Sequence, residues 1–112
     1  MIKVKIERSS DGFVQGFKVS GHAGYAKYGE DIICSAVSSV VLTAVGYAES
    51  VYNPEDKEDL RCFEEYDGLI VWNCPEITES VRRELKPVFD AMVYGLKQIC
   101  ESYGKKYLVV FD

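Results

Sequence analysis

The chain has little of what several protein classes depend on. It holds one histidine, one tryptophan and three prolines among 112 residues, and it has no internal repeat or low-complexity tract. Its 13 Lys and Arg are outnumbered by 18 Asp and Glu, which gives a net charge of −5. A broad nucleic-acid-binding face needs clustered Lys and Arg, so we expect no direct nucleic-acid partner. The acidic balance suits a basic protein partner, or it simply aids solubility.

The four cysteines lack the close pairing of redox and zinc motifs. Cys34, Cys62, Cys74 and Cys100 include no CxxC pair. The opening residues alternate apolar and polar side chains in MIKVKIERSS, and they lack the long apolar run of a secretory signal. We therefore expect a cytoplasmic protein with reduced thiols, although an even number of cysteines also permits two disulfides.

A metal centre is the second chemistry that these residue types permit. His22, Cys34, Cys62 and Cys74 are of the types that bind zinc. Structural zinc sites usually show close cysteine pairs, and the spacing here matches no usual zinc knuckle. We therefore expect neither a metal nor another cofactor.

One uncharged segment is long enough to raise the question of a membrane. Residues 32–48 form a run of 17 residues without a charge, and the run includes three serines, a threonine and a glycine. It lies at the short edge of membrane-spanning length, so a buried core helix is the favoured interpretation, and we expect no membrane association.

The apolar pattern predicts two β-hairpins and two long helices in one domain over residues 1–112. Alternation predicts strands at residues 2–7 and 13–20, joined by a turn at Gly12. A second hairpin is predicted around Tyr66-Asp67-Gly68, between strands at residues 60–64 and 69–73.

The first helix is predicted to start near Ile32, after Asp31, and to end at Asn53-Pro54. The second is predicted to follow Thr78 as its cap and to end at Gly104, with Pro87 either kinking it or marking its first turn. A last strand is predicted at residues 107–111. The fold class is thus α/β: a single-domain two-layer fold in the order β-β-α-β-β-α-β, with a mixed or antiparallel sheet.

The residues between Ser20 and Ser39, SGHAGYAKYGEDIICSAVSS, carry the pattern that points to chemistry. They hold the only histidine, His22, and a cysteine, Cys34, in the predicted first turn of a helix. A thiolate is the attacking form of cysteine, and both a helix N-terminus and an imidazolium stabilise it. The pattern is therefore typical of a cysteine nucleophile with a histidine base, although a core cysteine beside an unrelated loop histidine fits as well.

The same residues resemble a known family. GHAGYA followed by YGEDIICSAVS is similar to the signature of the bacterial ribosomal-processing cysteine proteases, the Prp family. The resemblance implies that Cys34 and His22 form the catalytic pair. It also implies a cysteine endopeptidase that removes a short apolar N-terminal extension from large-subunit ribosomal protein twenty-seven, and it implies a homodimer.

Neighbouring residues have two interpretations each. Asp31 either orients His22 as a triad acid or only caps the helix. Ser38, one turn after Cys34, either hydrogen-bonds near the thiol or only faces a helix neighbour. Tyr25 and Tyr28 either line a substrate groove or lie exposed without a role.

The glycines of the loop over residues 21–30, Gly21 and Gly24 among them, are expected to let it close over a peptide. Backbone N–H groups at the start of the helix are expected to stabilise an oxyanion. The main alternative function is a non-enzymatic ribosome-associated binding module, in which Cys34 would react as an ordinary thiol.

Overall fold

The computed structural model describes residues 1–52 and 63–112, with the backbone alone for residues 63–66. Its elements follow the predicted order β-β-α-β-β-α-β, which confirms the predicted fold class. The elements are β1 (Ile2–Arg8), β2 (Val14–Ser20), α1 (Ile32–Tyr52), β3 (Phe63–Tyr66), β4 (Leu69–Asn73), α2 (Glu79–Tyr103) and β5 (Leu108–Phe111).

The strands form one mixed sheet in the order β3-β4-β2-β1-β5. β1 runs parallel to β5, and the other neighbours are antiparallel. Alternation gives this sheet one buried face, because Val4 of β1 pairs with Val19 of β2 and both are buried, while Lys3 and Lys5 are exposed. The sheet therefore has one apolar face that must be covered.

Helix α2 covers that face through an aromatic contact. The ring of Phe89 lies 4.4 Å from the ring of Trp72 on β4 and 6.2 Å from that of Phe17 on β2, centroid to centroid. All three side chains are buried, so they join the helix layer to the sheet layer.

Helix α1 begins one residue after Asp31, as predicted. Its buried side is continuous with the core, and six of its residues lie buried: Ile33, Val37, Val41, Ala44, Val45 and Ala48. This burial agrees with the prediction of a core helix, although by length and composition alone α1 is apolar enough to cross a membrane.

Helix α2 has both predicted caps, but one of the two interpretations of Pro87 is wrong. Thr78 accepts the N–H of Val81 at 3.3 Å, and the N–H of Gly104 donates to the carbonyl of Cys100 at 2.7 Å. Pro87 lies well inside the helix, so the alternative that it marks the first turn is wrong. The predicted end of α1 at Asn53-Pro54, the start of β3 before residue 63 and Cys62 lie outside the described residues.

Candidate active site

Asp31 joins the histidine loop to the start of α1. One carboxylate oxygen, Oδ1, accepts the N–H groups of Ile33 at 3.0 Å and of Cys34 at 3.1 Å, which is the N-cap geometry. The other, Oδ2, accepts the N–H groups of Tyr25 at 2.9 Å and of Ala26 at 3.2 Å. A single buried carboxylate therefore fixes Cys34 in the first helical turn and fixes the loop beside it.

These contacts bear on the two predicted roles of Asp31. Burial disfavours its charged form, but the four backbone N–H donors outweigh burial and hold the pKa of Asp31 below its ordinary value. Each of its hydrogen bonds described here comes from the backbone of the loop or of the helix. The geometry thus supports the helix cap and gives no support to the triad acid.

The sulfur of Cys34 receives a hydrogen bond from the histidine loop. The N–H of Ala23 donates to Sγ of Cys34 at 3.4 Å. An N–H donor and the positive end of a helix dipole both favour negative charge on the sulfur. Cys34 is also half-buried rather than fully enclosed, so its environment suits a nucleophile.

Two cavities, of about 450 and 400 Å³, meet at the predicted catalytic pair. Four side chains border both of them: His22, Tyr28, Cys34 and Ser38. The two residues predicted as base and nucleophile therefore line the same two cavities, together with Ser38 and Tyr28. Substrate can approach from solvent, since the side chain of His22 is 52% exposed.

The helix start does not offer the expected oxyanion donors. The N–H groups of Ile33 and Cys34 point to the Asp31 carboxylate, and that of Ser35 donates to the Asp31 carbonyl at 3.1 Å. These three groups already have acceptors. The N–H of Ala23 likewise has an acceptor, the sulfur of Cys34.

The loop glycines differ in what they do. Gly21 has φ +89°, and a Cβ there would collide with the carbonyl of Met1, so this position requires glycine for steric reasons. Gly24 has φ +70° with open space around it, and it borders the smaller cavity. A side chain at position 21 would therefore clash with the backbone of Met1, whereas a Cβ at position 24 would meet no neighbouring atom.

The two loop tyrosines have different surroundings. Tyr28 is 83% exposed, and its ring meets that of His22 edge-on at 6.2 Å. Tyr25 borders neither cavity and instead packs edge-on against Tyr107 at 5.2 Å and Tyr103 at 5.9 Å. The prediction that Tyr25 lines the groove therefore finds no support here, since its ring anchors the loop to the far end of α2.

Asp67 and Gly68 are site residues that sequence reasoning did not assign. They form the turn between β3 and β4, and both border the larger cavity. Nε2 of His22 lies 3.8 Å from Oδ1 of Asp67. The Asp-Gly pair signals a hairpin in the sequence, but only the pairing of β4 with β2 brings that hairpin to the histidine.

No candidate metal cluster occurs among the described residues, where no three His, Cys, Asp or Glu side chains converge. Cys62, one of the four candidate zinc ligands, lies outside those residues.

A thiol at a helix N-terminus and an imidazole that border the same cavities define the type of site that cysteine peptidases use. The chain belongs to the family of the cysteine protease Prp, whose model matches residues 1–108. It is 30% identical over 104 residues to the ribosomal processing cysteine protease Prp of Bacillus subtilis (strain 168), covering 92% of this chain and 90% of that protein. The resemblance predicted from the sequence is thereby confirmed.

Solved structures agree on the fold. A crystal structure of the essential ribosomal processing protease Prp from S. aureus, with a covalently linked product peptide, matches with a TM-score of 0.74 at 23% identity, over 99% of this chain and 98% of that one. The same S. aureus protease with a substrate peptide matches with a TM-score of 0.71 at 22% identity, over 98% and 97% of the two chains.

Proposed function

We propose that this protein is a cysteine endopeptidase that removes the short apolar N-terminal extension of large-subunit ribosomal protein twenty-seven. The observation that carries the proposal is that Cys34 and His22 border the same two cavities, with the N–H of Ala23 donating to the sulfur. Membership of the Prp family supports a cysteine peptidase. The names of the B. subtilis and S. aureus relatives support a ribosomal processing role.

The chemistry follows from a thiol and an imidazole. Sγ of Cys34 attacks the carbonyl carbon of the scissile peptide bond while His22 takes the thiol proton. The tetrahedral intermediate collapses, the carbon–nitrogen bond breaks, and the His22 imidazolium protonates the leaving amine. A water molecule then attacks the thioester with His22 as its base, which releases the acid and restores the thiol.

The larger cavity suits an apolar peptide. It lies between the sheet and α1, and five apolar side chains line it: Ile2, Val19, Val37, Leu69 and Ile70. An extended, flexible segment with apolar side chains can lie in this groove and place its backbone beside Cys34. The net charge of this protein, −5, suits a basic ribosomal protein as partner.

We further propose that the protein acts in the cytoplasm as a homodimer. The thiols of Cys34 and Cys100 are free, as expected of a reducing compartment. An open groove of about 550 Å³ between α1 and α2 is lined mainly by apolar side chains, and a second copy is the occupant we propose for it.

Light scattering should show that the wild-type protein is a dimer. Ala91→Glu, in the groove, should dissociate this dimer, while Gln98→Glu, outside the groove, should not. A monomeric wild-type protein would contradict the dimer.

The test of the proposed function is direct. The purified protein is incubated with ribosomal protein twenty-seven carrying its N-terminal extension, and the product is identified by mass and by N-terminal sequencing. Shortening by the wild-type protein, and none by Cys34→Ala, is expected. Binding without shortening would instead favour the ribosome-associated binding module.

A further inference from the structure

The imidazole of His22 rests on the turn between β3 and β4. A Cβ built on Gly68 would lie 2.8 Å from Nε2 of His22, 3.4 Å from Cε1 and 3.5 Å from Cδ2. The ring therefore packs directly on the backbone of Gly68, with its Nε2 corner nearest. On the same side Oδ1 of Asp67 lies 3.8 Å from Nε2.

The turn and the histidine loop are held in fixed relation. The N–H of Gly21 donates to the carbonyl of Gly68 at 2.8 Å. Ser20 and Leu69, the neighbours of these two glycines, form the last pair between β2 and β4. Two adjacent backbone connections, immediately before His22 in the chain, therefore set the distance between the turn and His22.

We propose that the Asp67-Gly68 turn positions His22, holding its ring from the Nε2 side so that Nδ1 is the nitrogen that takes the thiol proton of Cys34. Gly68 supplies the surface on which the ring lies, because any larger residue would push the ring away. Asp67 supplies a negative charge beside Nε2, which favours a proton on that nitrogen and attracts the imidazolium after transfer. Both are positioning residues, and the proposal rests on the proposed role of His22 as general base.

The proton balance is simple in this arrangement. The thiol proton moves from Sγ to Nδ1, and the same proton passes to the nitrogen of the leaving amine. The proton on Nε2 stays in place beside Asp67 throughout. A base that presents the wrong nitrogen, or that lies an ångström away, loses much of its rate advantage.

The key variant is Gly68→Ala, and the chain offers a matched control. Gly68 has φ +71° and Gly12 has φ +89°, so alanine strains the backbone at both positions. A Cβ on Gly12 meets nothing within 4 Å, whereas one on Gly68 meets the His22 ring. Comparison of the two variants therefore separates backbone strain from displacement of the imidazole.

Two readouts apply to these variants. Gly68→Ala should lower kcat about 10²-fold with KM little changed, since a displacement of an ångström can cost that much. It should also slow alkylation of Cys34 at neutral pH, while Gly12→Ala resembles wild type in both assays. Equal behaviour of the two alanine variants would overturn the proposal. Asp67→Asn should lower kcat by a smaller factor, because the Asp67 side chain is 73% exposed.

The single histidine allows a third readout that does not depend on any substrate. ¹⁵N NMR of His22 reports which ring nitrogen carries the proton in the neutral imidazole. A proton on Nε2 is expected, with ring signals that shift in Gly68→Ala and not in Gly12→Ala. A proton on Nδ1 would overturn the proposal.

The outcomes separate this inference from the proposed function. If the wild-type protein does not cleave the ribosomal substrate, the proposed function fails, while alkylation and NMR still decide whether the turn positions His22. If cleavage occurs but Gly68→Ala behaves like Gly12→Ala, only the positioning role fails.

Discussion

At the scale of single residues, the direction of the hydrogen bond at sulfur distinguishes the three cysteines that the structure describes. Sγ of Cys34 accepts an N–H from Ala23, which favours the thiolate. Sγ of Cys100 donates to the carbonyl of Leu108 at 3.1 Å, and Sγ of Cys74 donates to the next residue's carbonyl at 3.3 Å. A donated hydrogen bond requires the thiol form. Cys34 combines the N–H donor with a place in the first turn of a helix, which is the setting of a nucleophile.

This difference predicts the order of thiol reactivity. With iodoacetamide at neutral pH, Cys34 should alkylate fastest. Its side chain borders a cavity, its sulfur accepts an N–H, and it lies at the N-terminus of a helix. Site-resolved mass spectrometry measures each rate, and Cys74 and Cys100 serve as internal controls. Equal rates at Cys34 and Cys100 in the folded protein would contradict the assignment of the nucleophile.

Residue types and spacing were enough to select the pair itself. His22 is the only histidine, and Cys34 follows a recognisable helix cap, so both stand out in the sequence. Asp67 and Gly68 lie in a distant hairpin, and only strand pairing brings them to the site. Contacts of that kind depend on tertiary structure, which local patterns do not specify.

At the scale of elements, the two helix starts differ in how much their caps hold. Thr78 accepts one N–H, from Val81, and is exposed. Asp31 is buried and accepts four N–H groups, two from α1 and two from the histidine loop. The cap of α1 is thus also the anchor of the active-site loop.

Matched cap substitutions test this difference. Thr78→Ala should lower the free energy of unfolding by about 1 kcal/mol, the usual cost of a lost cap. Asp31→Asn should cost more, about 2 kcal/mol or above, because its amide NH₂ would face two N–H donors and leave them unpaired. Chemical denaturation measures both values. A smaller loss for Asp31→Asn than for Thr78→Ala would show that the carboxylate is not an anchor.

The pattern of apolar residues predicted the order of the helices and strands correctly. It did not identify which side chains pack against each other. Leu85, Met92 and Leu96 are buried on α2 at the spacing of one helix face, but the aromatic contact with the sheet is made by Phe89. The sequence left open whether Tyr25 lines a groove or lies exposed, and its ring packs instead against Tyr103 and Tyr107, at and just after the end of α2. Periodicity identifies a face, whereas the partner of each side chain depends on how the layers meet.

At the scale of the whole molecule, ionic contacts join β1, α2 and the end of β5. The guanidinium of Arg8 donates to both carboxylate oxygens of Asp112 at 2.8 and 3.2 Å, and Lys97 lies 3.0 Å from the second oxygen. The hydrogen bond from Arg8 is the main cause that lowers the pKa of Asp112 to about 2, with burial opposing it and Lys97 assisting. The carboxylate is therefore stabilised in its charged form by folding.

This shift has a definite sign for stability. A carboxyl group whose pKa is depressed on folding stabilises the protein above its ordinary pKa, near 3.8, and the contribution fades as the pH falls to about 2. Asp112→Asn should lower the free energy of unfolding by about 1 kcal/mol at pH 7. The difference in the free energy of unfolding between Asp112→Asn and wild type should fall to near zero as the pH approaches 2. Glu76→Gln, at an exposed position, is the control, and a difference independent of pH would contradict the ionic role.

The central claim is that Cys34 and His22 act as one catalytic unit. Its most direct measurement is kcat/KM for cleavage of a peptide that spans the extension of ribosomal protein twenty-seven, with wild type, Cys34→Ala, His22→Ala and the double variant. Loss of a general base typically costs ~10²–10⁴ in rate. For residues that act together, each single variant should lose nearly as much as the double variant, with circular dichroism unchanged. Turnover retained by Cys34→Ala, or single losses that multiply in the double variant, would contradict the claim.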